Sequence, residues 1–430
     1  MAEESFFSKF GEELQQSIRN LIAPELQSSW AKSLYLSKWN PCSASFEPNG
    51  AIVACDGSPS ESSFSGGLVA WVARAVAHIY AKDGSVVSMP EVGVEAGYRL
   101  RGQSLFTKTL ELQVLRKAVE KALHDHKKVF AIFDGSLYLR FFHYLPRLEA
   151  MARVFERYVN QLTSLLRVTQ NGGVTILGLS KDSDISYLRA RILLDALLQA
   201  DVNIGKELAI RGRRVRRITE RLRGKVEGLP RDALLRNYLR EFELEISDEG
   251  LYSEIALEPG FTTPLLLAPQ THFVTEEIEK GTKSWWESTF RRRLERSGKL
   301  SYLVDTLDSF YTLPPIAIFY WKPRPELGVY RVDVPSNLLG YKGSCGNLSD
   351  DIFTDDLDLE AVRSLVATLH WLSHEPYVVN PLTEVDAVVR LDRRLYKQAY
   401  EPVIIEELKK KGFRVSPRKR AVRDFVLRGY

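Results

Sequence analysis

The sequence is short of cysteine: Cys42, Cys55 and Cys345 are the only three in 430 residues. Their odd number, the lack of any Cys-x-x-Cys pair and the lack of histidines at ligand spacing argue against a disulfide framework and a structural zinc site. They point instead to a reducing, cytoplasmic compartment. Long apolar runs are also missing. The longest, Gly67 to Ala81, is interrupted by Arg74 and His78 and falls short of the ~18 residues a spanning helix needs, so no membrane is expected. The opening stretch carries Glu3 and Glu4 and no basic segment, unlike a signal peptide. Net charge is small, 59 Lys and Arg against 55 Asp and Glu for a balance of +4, so any polyanion-binding surface must be local. No GxxxxGK[ST] follows the apolar strands, hence no nucleotide-driven motor is expected. Without a GxSxG elbow a serine hydrolase is disfavoured. Internal repeats and low-complexity tracts are absent as well.

What is present is globular. With 44% hydrophobic and 27% charged residues, the chain can bury a sizeable core, and its length calls for two or three packed units. Phe10, Leu14, Ile18, Leu21, Ile22 and Leu26 recur at helical spacing, predicting an amphipathic helix over residues 5–31 with a break at Pro24. The run Ala51 to Cys55 predicts a buried strand closed by a turn at Asp56-Gly57-Ser58-Pro59. A second strand covers Leu68 to Ala81, and Asp83-Gly84 signals a hairpin into Val86-Val87. Helix is expected over Leu105 to His126, strand over Val129 to Phe133 with a stop at Asp134-Gly135-Ser136, helix over Leu137 to Leu166, and strand over Val174 to Leu179. Strands return at Ile316 to Trp321 and Val329 to Val334, followed by helices at Leu359 to Trp371 and Glu384 to Tyr396. The order is mixed α/β.

Two apolar strands thus end in the same tripeptide, Asp-Gly-Ser. Either alone reads as an ordinary turn. Together, with a helix carrying Glu111 between them, they acquire a chemical meaning, because the carboxyl ends of parallel strands converge on the edge of the sheet where ligands bind. Asp56, Asp134 and Glu111 gathered there would repel one another and raise each other's pKa unless a divalent cation compensated. Oxygen donors of this kind suit Mg²⁺ or Mn²⁺, and two such ions about 4 Å apart serve phosphodiester cleavage. The glycine after each aspartate lets backbone or substrate approach closely, and the serine can hydrogen-bond a carboxylate or a phosphate. Glu120, on the same helix, competes with Glu111 for the third place.

This pattern resembles the ribonuclease-H-like metal-dependent nucleases, and more narrowly the NurA family of DNA nucleases. The resemblance is carried by Ala54-Cys55-Asp56-Gly57-Ser58 with Phe64-Ser65-Gly66-Gly67, Leu110-Glu111-Leu112, Phe133-Asp134-Gly135-Ser136-Leu137 and Gly178-Leu179-Ser180-Lys181-Asp182-Ser183. Tyr330 to Pro335, Pro381-Leu382 and Val385-Asp386 extend it over residues 50–390. It implies that Asp56, Glu111, Asp134 and Asp386 are metal ligands, with Asp392 a competitor for the last place. It further implies that Lys181 holds the scissile phosphate and that Tyr377 lines the site. The implied fold is a ribonuclease-H-like mixed sheet flanked by helices, with a helical insertion and an N-terminal helix. On this reading residues 46–200 and 301–400 form the nuclease core, and 1–45 a helical segment for dimerisation or partner contact. Residues 201–300 form an arginine-rich helical insertion and 401–430 a basic tail. The implied activity is 5′-to-3′ exonuclease with single-strand endonuclease, using Mn²⁺ or Mg²⁺, in DNA end resection and recombination repair. The implied partners are single-stranded or unwound DNA ends, a second copy of the chain and the hexameric ATPase HerA, in the nucleoid of an archaeal or bacterial cell.

Arg211 to Lys225 contains eight basic residues and one acid, and Arg291-Arg292-Arg293 follows Trp285, Trp286 and Phe290. Arg211, Arg213, Arg214, Arg216, Arg217, Arg291, Arg292 and Arg293 are the candidate nucleic-acid face, with an acidic protein partner as the other reading; the tryptophans read as a helix-packing seam. A non-catalytic DNA-binding or adaptor ring for a translocase is the alternative to the nuclease. The small net charge is a sum of segregated blocks, basic at 211–225, 291–296 and 409–423 and acidic at 350–360.

Overall fold

A computed structural model describes residues 9–11, 13–16, 29–139, 148–200, 220, 222–224, 226, 234–244, 246–269, 291–298, 300–348, 350–374 and 378–415. Ten strands among them form one sheet: β1 (Trp39–Pro41), β2 (Ala51–Ser63), β3 (Leu68–Tyr80), β4 (Val86–Tyr98), β5 (Val129–Asp134), β6 (Val174–Ser180), β7 (Gly260–Thr262), β8 (Leu265–Leu267), β9 (Ile316–Lys322) and β10 (Tyr330–Pro335). The spatial order is β1-β7-β9-β10-β6-β5-β2-β3-β4, with β8 beside β9. β2, β3 and β4 make an antiparallel meander, whereas β5 joins β2 and β6 joins β5 in parallel. A three-strand meander whose first strand is followed across the sheet by two further parallel strands is the ribonuclease-H-like sheet. β10, β9, β7 and β1 continue it in antiparallel fashion.

The length of the meander follows from its sequence. β3, LVAWVARAVAHIY, is apolar on both faces because helices cover both, and only Arg74 and Tyr80 in it escape full burial. β4 alternates exposed and half-buried positions, as expected for a strand at the end of a sheet. On one face lie α1 (Gln103–Asp125), α2 (Leu148–Val168) and α3 (Leu303–Tyr311), sharing a core with Val53, Cys55, Ala131 and Phe133. On the other lie α4 (Leu359–Trp371) and α5 (Asn380–Val389), packed on Ile52, Ala54, Phe130 and Ile132. α6 (Glu401–Lys410) places Ile404, Ile405 and Leu408 against Phe64, Leu68 and Ala70 of the meander.

Several expectations need correcting. Asp56-Gly57-Ser58-Pro59 is not a turn: β2 runs through it to Ser63, because twelve residues of β2 pair with β3 and this ladder overrides the local turn preference. Residues 260–267, expected in a helical insertion, add β7 and β8 to the sheet; Leu265, Leu266 and Leu267 are all buried there. Trp39–Pro41 likewise leaves the N-terminal segment to pair with β7. Leu137 to Leu139 are not helical, residues 140–147 lie outside the described residues, and the helix begins at Leu148. The helix expected over Glu384 to Tyr396 starts earlier, at Asn380, and stops at Val389. Of the helix expected over 5–31, residues 9–11 and 13–16 are helical, as are residues 29–31 at the start of a helix over Ser29–Leu36, and Pro24 lies outside the described residues.

Candidate metal centre

Register brings the two aspartates together. Cys55 pairs with Phe133 across the parallel β2–β5 ladder, so Asp56 and Asp134 are the next residues on neighbouring strands. Ile52, Ala54, Phe130 and Ile132 point into the α5 side of the sheet, and two-residue alternation carries Asp56 and Asp134 to that same side. Here β5 stops and β2 continues, leaving a notch beside Asp56.

Glu111 arrives from the opposite face. It sits in the buried middle of α1 and is only 6% exposed. Its carboxylate occupies the space that a side chain at Gly57 would need: a Cβ there would overlap Oε1 and stand 2.6 Å from Cγ. Gly57 is therefore a gap in the sheet's surface that lets the Glu111 carboxylate lie against β2 next to Asp56, whose charge it senses. α5 contributes Asp386 from above. Leu382, Val385 and Val389 seat this helix in the core, and the next position, Asp386, is left 43% exposed and paired with Arg390 at 3.0 Å.

The electrostatics report on this convergence. Burial, followed by the charge of Asp134 and more weakly that of Asp386, pushes the Asp56 carboxyl up to about 6, against the Gly57 amide that donates to it at 2.7 Å. Burial, followed by the charge of Asp56, pushes Glu111 up to about 8, although Lys108 opposes this. Lys181, just beyond β6, donates to Asp134 Oδ2 at 2.7 Å. Burial would lower its pKa, but Asp134 with Asp56 and Asp386 raises it, so the ammonium stays charged.

A buried polar frame holds the two loops. Arg331 and Asp333, side chains 3% and 0% exposed, pair at 2.7 Å on β10. Asp333 accepts from Ser136 Oγ at 2.7 Å and from the Tyr138 amide at 3.1 Å. Arg331 donates to Ser136 Oγ at 2.6 Å and to Ser183 Oγ at 3.4 Å. One guanidinium thus ties the loop after Asp134 to the loop carrying Lys181. Glu249 also fixes the second loop, accepting from the Ser183 amide at 2.7 Å.

The donor set fits a hard divalent cation: oxygen ligands only, with protonation of Asp56 and Glu111 favoured by burial until a positive charge offsets it. Among the described residues no three Asp, Glu, His or Cys side chains close on one point as a finished cage. Lys181 on Asp134 and Arg390 on Asp386 supply counter-charge in the present arrangement. Asp392, the competitor of Asp386, is spent capping the Leu395 amide, and Glu120 pairs with Arg116 on the α1 surface. Tyr377, Arg211, Arg213, Arg214, Arg216, Arg217 and the side chain of Arg293 lie outside the described residues. Arg291 is engaged by Glu295 at 2.9 Å and Asp308 at 3.1 Å, while Arg292 is exposed. In the sequence Arg331 and Asp333 belong to the Tyr330 to Pro335 stretch that extends the family resemblance, with no site role assigned to either.

Fold and site together define a ribonuclease-H-like protein with a carboxylate centre at the edge of its parallel strands. The NurA domain matches residues 50–391, and the chain belongs to the NurA family. It is similar to the crystal structure of the NurA nuclease from Sulfolobus solfataricus at 13% identity, over 95% of this chain and 98% of that one, with a TM-score of 0.49. A second NurA crystal structure is similar at 13% identity, over 94% and 97%, with a TM-score of 0.40. The catalytic domain of human endonuclease V is similar at 11% identity, over 92% and 97%, with a TM-score of 0.28. At these values membership rests on the domain match. No curated protein matches the chain. Among the described residues no helix is long and apolar enough to cross a membrane.

Proposed function

We propose that this chain is a Mn²⁺- or Mg²⁺-dependent deoxyribonuclease, a 5′-to-3′ exonuclease with single-strand endonuclease activity that hydrolyses phosphodiesters with two ions. It works as a homodimer with a HerA-type hexameric ATPase in DNA end resection and recombination repair. The observation that supports the reading is that Asp56 and Asp134 are next to each other on neighbouring parallel strands of a NurA-family sheet, with Glu111 against Gly57 and Asp56 sensing the charge of Asp386.

Asp56, Asp134 and Asp386 from one side and Glu111 from the other would hold the ions. When bound, these supply a water nucleophile at neutral pH and stabilise the leaving oxygen. The remaining work falls to the chain. Lys181, which stays charged on a partly exposed loop, can pass from Asp134 to a non-bridging phosphate oxygen. Arg331 and Asp333 keep Asp134 and Lys181 at a fixed separation, so that the phosphate is clamped without reorganising the loops. The HerA-type partner would supply unwound strands, which a chain with no P-loop cannot make for itself.

End-labelled single-stranded DNA incubated with Mn²⁺ or with EDTA tests the reading. Cleavage is expected with Mn²⁺ only, and Asp134→Ala should lower it on the order of 10³-fold or more, as expected for several kcal/mol of lost charge stabilisation. Cleavage equal in the variant and the parent protein would overturn it.

A further inference from the structure

Beyond the metal centre, β2 runs on for seven residues, and the chain after α5 folds down over it. Asp56, Ser58, Ser60 and Ser62 alternate along one face of the strand. Ser58 Oγ accepts from the Leu391 amide at 3.0 Å, and Ser62 Oγ lies 2.8 Å from the Tyr396 hydroxyl. Residues 390–397, helical from Arg393 onward, therefore lie beside the serine row, which runs from Asp56 to Ser62 over about 20 Å at the rise of an extended strand.

This segment is basic and faces outward. Arg390, Arg393, Arg394 and Lys397 stand against one acid, Asp392, whose carboxylate is committed to the Leu395 amide at 2.8 Å. Arg390 is 72% exposed and bridges directly to Asp386. Lys397 pairs with Glu401 at 2.5 Å. Arg393 and Arg394 are exposed and make no ion pair among the described residues. Two guanidinium groups free of counter-ions, on a ledge that begins at the carboxylate centre, complement the backbone of a polyanion. The ledge length corresponds to the shorter single-strand sites, about 4 nucleotides.

We propose that Arg390, Arg393, Arg394 and Lys397 form a phosphate-tracking subsite that holds single-stranded DNA as it enters or leaves the metal centre. The proposal rests on the nuclease reading for its location, but its test does not require cleavage. Binding of fluorescein-labelled oligo(dT) to the full-length protein in EDTA is followed by anisotropy between 50 and 200 mM salt, roughly the range over which phosphate contacts are weakened. Arg393→Ala/Arg394→Ala should weaken binding on the order of tenfold and reduce the salt slope by about 1.4, the loss of two single-strand phosphate contacts. Arg393→Lys/Arg394→Lys should keep most of the affinity and slope. Both positions are exposed, so a thermal melt matching the parent protein shows that the fold is retained. Unchanged affinity and slope in the double alanine variant, equal losses in the lysine variant, or no oligo(dT) binding by the parent protein would each overturn the subsite. Loss of binding in the alanine variant of a protein that never cleaves DNA would overturn the nuclease reading alone.

Discussion

The two Asp-Gly-Ser tripeptides are identical in sequence and unlike in structure. The first lies in the middle of a thirteen-residue strand, and the second ends a six-residue one. In the first, glycine is needed for what it lacks, since Glu111 fills the room of a side chain at Gly57. In the second, glycine is needed for its backbone, with φ at +146° as the chain leaves β5 and its amide donating to the Leu179 carbonyl at 2.9 Å. Ser58 accepts an amide hydrogen from the segment after α5, whereas Ser136 is clasped by the buried Arg331–Asp333 pair. The same three residues thus place one carboxylate by strand register and the other by a loop that a buried charge pair holds rigid.

The largest effect should come from breaking the frame of the second tripeptide. Asp333→Ala leaves Arg331 buried and uncompensated, at a cost of about 3–5 kcal/mol, to be seen as a fall in the denaturant midpoint of the metal-free protein. The double variant Arg331→Met/Asp333→Leu removes both charges and should recover most of that stability while cleavage stays depressed, because Ser136 and Ser183 have lost their common donor. Recovery of both stability and cleavage would show that the pair does not position the site.

The first tripeptide should fail in the opposite way. Gly57→Ala forces the Glu111 carboxylate out of its place against β2 while leaving the β2–β3 ladder intact. Cleavage should fall on the order of 10²-fold, the scale of an ångström's misplacement, with a rise in the Mn²⁺ concentration needed for half-maximal rate. An alanine variant with parental Mn²⁺ dependence would remove Glu111 from the centre.

How legible these differences are depends on how local their causes are. The stop of β5 at Asp134 is readable because it is made by its own residues. The continuation of β2 through Asp56 is not, because it depends on a ladder with β3, a partner that a turn-prone dipeptide cannot reveal. Glu111 is readable as a candidate from its place between the strands, but its route through Gly57 exists only once the sheet and α1 have packed. Arg331 and Asp333 look like solvent charges until β6 and the two loops close over them. Residues 390–397 look like the end of a helix, and their basic character goes unmarked beside the longer arginine run at 211–225.

A pH experiment sharpens the comparison further. The folded-state pKa values of Asp56 and Glu111 are raised, to about 6 and about 8, in each case first by burial and then by a neighbouring charge, that of Asp134 at Asp56 and that of Asp56 at Glu111. Lys181 and Lys108 are the opposing cations. For acids held above their unfolded values, the stability they contribute is complete below about pH 4 and is lost as pH rises through 6 and then 8. A cation that replaces those protons should stabilise more where they have already left. Mn²⁺ should therefore raise the melting temperature more at pH 8 than at pH 6, and the difference should shrink in Glu111→Gln, leaving the part that Asp56 contributes. Equal stabilisation at both pH values in the parent protein would detach Asp56 and Glu111 from the metal.

The smallest effect distinguishes the two serines. Ser58→Ala removes one acceptor from the partly exposed Leu391 amide, a loss of about 0.5–1.5 kcal/mol. Ser136→Ala removes a hydroxyl that both accepts from Arg331 and donates to Asp333, so two charged groups lose a partner and the loss should reach about 1.5–3 kcal/mol. In the ion-pair frame, the salt bridge itself survives in Ser136→Ala, and for that reason its cost should remain below that of Asp333→Ala. Denaturant midpoints of the three variants should fall in that order, with Asp333→Ala lowest. A Ser58→Ala variant less stable than Ser136→Ala would reverse the comparison, making the contact over β2 the stronger constraint on the carboxylate centre.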